Sequence, residues 1–78
     1  MEKKYIIVDS MWPIIFPAYI THIEAAKVAE GKKITSAGFF NVNRDGDGTF
    51  EISTYGESTS LKLKPDEDDS FLIKFLFK

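Results

Sequence analysis

The chain has no cysteine and a single histidine. The first absence removes disulfide reinforcement, thiol catalysis and thiolate metal sites, and the second leaves one imidazole without the companions a zinc centre needs. Basic residues are few and dispersed: ten Lys and Arg stand against twelve Asp and Glu, for a formal charge of −2. With Lys32-Lys33 as the densest internal basic pair, the phosphate-neutralising attraction behind nucleic-acid affinity has no source, and no nucleic-acid partner is expected. Long apolar runs are missing as well. Tyr5-Ile6-Ile7-Val8 stops at Asp9, short of the roughly 7 to 15 residues of an export signal, and Met11 to Ile20 is broken by Pro13 and Pro17 at about half the ~20 residues of a membrane span. A cytoplasmic protein with no membrane partner is expected. Neither a Gly-x-Ser-x-Gly elbow nor a glycine-rich phosphate loop occurs, so the reading is non-enzymatic.

What is present is ordinary globular composition in a short chain: 78 residues, 44% hydrophobic, with seven Phe, three Tyr and one Trp. One small domain over residues 1–78 follows, and a chain of this length buries only about 60 to 65% of its unfolded surface. Tyr5 to Val8 is rich in β-branched residues and reads as a strand buried on both faces. Pro13 and Pro17 flank Ile14-Ile15-Phe16, which reads as an extended edge or crossover because proline lacks an amide donor. Thr21-His22-Ile23-Glu24 has the spacing of a capping box and starts a helix. Its Ala25, Ala26, Val28 and Ala29 share one arc, opposite Glu24, Lys27 and Glu30, and Gly31 supplies the exit. Ile23 falls among the charged positions, either covered by the proline-rich approach or exposed as a contact.

Ile34 to Val42 and Thr49 to Tyr55 read as strands of a hairpin, with Gly38 as a bulge or close-approach point and the turn-rich Asn43 to Gly48 between them. Ser58 to Lys64, where Leu61 and Leu63 alternate with lysines, reads as a third consecutive antiparallel strand. The tail carries two signals. Pro65 followed by Asp66, Glu67, Asp68 and Asp69 suits a helix start, with Phe71/Phe75 and Leu72/Leu76 four apart, whereas Phe71, Ile73, Phe75 and Phe77 also alternate as a strand would. The acidic start favours helix. The expected fold is α+β in the order β-α-β-β-β-α, a two-layer domain whose mainly antiparallel sheet has one or two helices on one face.

The most specific local pattern is Asn43-Arg44-Asp45-Gly46-Asp47-Gly48-Thr49-Phe50-Glu51, which resembles the loop of the EF-hand calcium-binding family. Asn43, Asp45, Asp47, Gly48 and Thr49 match its loop positions 1, 3, 5, 6 and 7, and the resemblance implies a weak calcium site formed by Asn43, Asp45, Asp47 and Glu51. It departs from the family at position 12, where Thr54 replaces the bidentate glutamate, and in its strand-like flanks. The same residues serve a tight hairpin turn, because Asp and Gly tolerate positive φ, and that reading is preferred with no cofactor. His22 is expected to face solvent or bond locally. Ser58, Ser60 and Glu57 offer hydroxyls and an acid that no spacing brings to it. The four carboxylates of residues 66–69 read as a solvated cap.

Aromatic content decides the functional expectation. Trp12, Phe16, Tyr19, Phe39, Phe71, Phe75 and Phe77 exceed what a small sheet and an alanine-faced helix need for cover, and Trp12, Phe16, Tyr19, Ile23, Phe71, Phe75 and Phe77 are assigned to an interaction surface. The expectation is a protein-binding or regulatory module, a homodimer or the partner of another protein, of the size of a small bacterial or phage accessory protein.

Overall fold

In the computed structural model, residues 3–44, 46–59 and 61–77 are described. They form an α+β arrangement: β1 (Lys3–Val8), β2 (Trp12–Pro17), α1 (His22–Ala26) with a 3₁₀ turn at Lys27–Ala29, β3 (Ile34–Arg44), β4 (Phe50–Tyr55) and α2 (Asp69–Leu76). The four strands make one antiparallel sheet in the order β2-β1-β3-β4. The element order is therefore β-β-α-β-β-α, which differs from expectation at two places. The Pro-flanked segment is a full strand, and it lies at the sheet edge, where a missing amide donor costs no ladder bond. Ser58 to Leu63 closes on itself instead of joining the sheet. The Ser58 amide donates to the Leu63 carbonyl at 2.7 Å and the Leu63 amide returns to Ser58 at 3.1 Å. Leu61 and Leu63 still pack against the core, so their alternation is satisfied by a turn.

Side chains alternate across β1, and both faces are buried. Ile6 and Val8 join Phe16, Ala37, Ala25 and Ala29 on the face that carries α1. Tyr5 and Ile7 join Phe40, Ile52 and Ile73 on the face that carries α2. The helices thus lie on opposite faces of the sheet, in three layers where two were expected, because a central strand apolar on both sides needs cover on both. Pairing β1 with β3 requires an irregularity between Ile7 and Val8, while Gly38 serves the other predicted purpose of close approach. A Cβ on Gly38 would sit 2.9 Å from Pro65 Cγ and 3.0 Å from the Tyr55 carbonyl oxygen, so glycine lets the chain entering α2 lie directly on β3.

The capping box of α1 is formed: the Glu24 amide donates to Thr21 Oγ1 and the Thr21 amide to Glu24 Oε1, both at 3.2 Å. These contacts hold the Glu24 carboxyl below its usual range. Ala25 and Ala29 are buried as the helical arc requires, but Val28 is 73% exposed. The turn tightens to 3₁₀ after Ala26, so the 100° spacing that defines the arc does not continue through Lys27–Ala29. The tail resolves as helix. Ile73 is buried against the sheet, and Leu72 and Phe77 are half-buried beside it.

Candidate functional site

The junction of α2 with the sheet is built on one carboxylate. Asp69 Oδ2 accepts from the Tyr5 hydroxyl at 2.6 Å and from the Asp66 amide at 2.8 Å, and Oδ1 accepts from the Ser36 hydroxyl at 2.8 Å. Tyr5, Ser36 and Asp69 are all buried. Burial first, and then the bond to Asp69, push the Tyr5 phenol well above the ordinary tyrosine range. A cavity of about 210 Å³ adjoins the junction, lined by Ile7, Thr35, Ser36, Asp66, Asp69 and Leu72 among others. Among the described residues no buried side-chain nitrogen or oxygen lacks a partner, so this carboxylate is occupied in tying helix to sheet. One of the four acidic residues expected as a solvated cap is therefore internal, and no local pattern marks it. Its partners lie 33 and 64 residues away along the chain.

His22 is likewise internal, against the expectation of a solvent-facing or locally bonded ring. Its Nε2 lies 2.9 Å from the Gly38 carbonyl oxygen on β3, a geometry that assigns the proton to Nε2. The ring meets Phe16 and Phe39 edge-on at centroid distances of 5.4 and 5.6 Å, and Phe39 stacks on Tyr55 at 5.7 Å. His22 is thus one ring in an aromatic row across the α1 face of the sheet. Ser58, weighed as a hydroxyl partner for it, is buried and accepts from the Leu61 amide at 3.2 Å, while Glu57 is exposed and Ser60 lies outside the described residues.

The Asp/Gly loop connects β3 to β4 as a hairpin. Asp47 Oδ1 accepts from the Thr49 amide at 3.1 Å and from the Thr49 hydroxyl at 2.9 Å, which draws its carboxyl below the usual range. Asn43 Nδ2 donates to Ser53 Oγ at 3.4 Å, Glu51 pairs with Asn43 across the ladder, and Asp45 lies outside the described residues. Among the described residues no three His, Cys, Asp or Glu side chains gather as a metal cluster.

The predicted interaction residues divide between core and surface. Phe16 is buried between sheet and α1, and Phe77 turns under the sheet to meet Phe40 and Phe50 at 6.3 and 6.0 Å, so both belong to the core. Trp12, Tyr19, Phe71 and Phe75 are 61%, 84%, 62% and 61% exposed, and Ile23 is exposed on α1. Two apolar surfaces result. On the α1 face, Trp12, Ile14 and Val28 line an open groove, with Met11 exposed nearby in the chain. On the far side of the sheet, Phe71 and Phe75 form the outer face of α2, where the two phenyl rings meet edge-on at 5.7 Å, and Leu76 is exposed at the end of the helix. No protein-family model, curated protein or solved structure matches the chain. No helix among the described residues is long and apolar enough to cross a membrane.

Proposed function

We propose that this chain is a non-enzymatic protein-binding module that works by docking its exposed aromatic side chains onto protein. The observation that carries the reading is α2, an eight-residue helix apolar on both sides. Ile73 fills the sheet core while Phe71, Phe75 and Leu76 face solvent. A surface helix with one apolar stripe is complete when that stripe meets the core, and a second stripe calls for a second partner. The polar groups support the same reading, since Asp69, Ser36 and His22 are engaged in holding elements together. Site-specific photo-crosslinking tests it. A benzophenone side chain at Phe71 or Trp12 is expected to give discrete protein adducts in cells, and one at Glu51 is expected to give none. Equal, diffuse labelling from all three positions would refute the docking role.

A further inference from the structure

Beyond the C-terminal end of α2, cations gather around an apolar cleft. Lys3 pairs with Phe40 across the β1–β3 ladder, and β3 runs on through Val42 to Arg44, so side-chain alternation sets all four on the α2 face of the sheet. Phe77 follows α2 and meets Phe40, and these five residues line a cleft of about 430 Å³. Among the described residues no carboxylate lines it, and the acidic run 66–69 lies at the other end of the helix. Lys74, in the last turn, places its ammonium 5.6 Å from the Phe50 ring centroid, and the Arg44 guanidinium lies 5.8 Å from the same centroid. Two cations thus share one ring, whose face attracts each of them while they repel each other. Lys74 also offsets the carbonyl end of the helix, which would otherwise disfavour an anion nearby.

We infer that this cleft binds a small organic carboxylate with an apolar body. Positive charge of one sign along a low-dielectric wall focuses the field on an anion, and the Arg44 fork with the Lys3 ammonium matches a carboxylate held at the rim. The apolar body then lies against Val42 and Phe77, which are half-buried, with the buried Phe40 beneath them. The volume falls within the roughly 300 to 1,000 Å³ of small-molecule sites and suits a medium-length acyl chain or a single ring system. A free carboxylate is favoured over a nucleic acid, because the charge rims one small cleft while the remaining basic residues are dispersed along the chain. This site lies apart from the exposed rings of α2 and goes beyond their docking role.

Chemical-shift titration of the full chain with decanoate tests the inference. Saturable shifts are expected at Lys3, Val42, Arg44 and Phe77, with none at Trp12 on the α1 face. Acetate, which lacks the apolar body, and decyltrimethylammonium, which reverses the charge, are each expected to bind at least about tenfold more weakly. Arg44→Gln is expected to weaken decanoate binding about tenfold, and Arg44→Lys about threefold, since an ammonium keeps the charge without the fork. Lys32→Gln, beside the groove on the α1 face, is expected to leave binding unchanged. Arg44 and Lys32 are both exposed, and thermal melting confirms that each variant is folded. The absence of any saturable shift, decanoate binding unchanged by Arg44→Gln, or equal shifts at Trp12 and Phe71 would overturn the inference. So would binding to vesicles of anionic phospholipid or to polyglutamate in place of monomeric decanoate. Because Phe71 and Trp12 take no part in the cleft, such a result leaves the docking role standing, and diffuse crosslinking from those two positions leaves the cleft standing.

Discussion

Asp69 accepts three hydrogen bonds at the point where α2 meets the sheet, and two of the donors, the Tyr5 and Ser36 hydroxyls, are buried. Removing the carboxylate strands both hydroxyls, whereas removing one hydroxyl leaves the carboxylate with its other donors. Asp69→Ala is therefore expected to cost about 3 kcal/mol in urea denaturation and Ser36→Ala about 1 kcal/mol. Equal losses for the two would contradict the account of the junction. Tyr5 ties the same contact to alkaline pH. Its phenol titrates higher in the folded chain than the ordinary value of 10.0, so above that value the unfolded chain loses this proton while the folded one keeps it. Stability from Tyr5 is complete below pH ~10 and falls as pH rises beyond it, and Tyr5→Phe is expected to flatten that fall in melts across the alkaline range. The acidic run 66–69 announced a helix start, but which of its members turns inward depends on β1 and β3, and no local pattern carries that information. His22 is the same kind of case, since the Gly38 carbonyl and the rings of Phe16 and Phe39 come to it from two strands.

Elements were legible where local chemistry decides them. The capping box of α1 and the β3–β4 hairpin each satisfy backbone groups within a few residues and formed where the residues indicate, while the acidic run led into a helix that begins three residues later than its first member, at Asp69. Ser58 to Leu63 misled because alternating leucines describe a half-buried segment equally well in a strand or in a self-closing turn. The proline segment was recognisable as extended, while its place in the ladder depends on β1 having a free side to offer. Gly38 shows the packing of elements at one position. Gly38→Ala is expected to cost about 2 kcal/mol, because the added methyl meets Pro65 and the Tyr55 carbonyl within 3.0 Å, and Gly46→Ala, with nothing within 4 Å, is expected to be close to neutral. Paired thermal melts check the contrast, and equal melting temperatures would show that the approach to α2 does not press on β3.

Over the whole molecule, a central strand apolar on both faces draws one helix to each side, so the chain has two separate small cores and little material to cover them. The surplus of aromatic residues is real, but it divides. Phe16, Phe39 and Phe77 pack with other rings inside or at the edges of the layers, while Trp12, Tyr19, Phe71 and Phe75 stay outside. Composition revealed the surplus, and only the three-layer arrangement sorts the rings into these groups. The most direct measurement of the exposed aromatic surface on which the docking role depends is paramagnetic solvent relaxation of the ring protons in the full chain, recorded in dilute solution. The account predicts strong relaxation of Phe71, Phe75 and Tyr19 and protection of Tyr5 and Phe40. Protection of Phe71 and Phe75 in the dilute chain, equal to that of Tyr5 and Phe40, would contradict it.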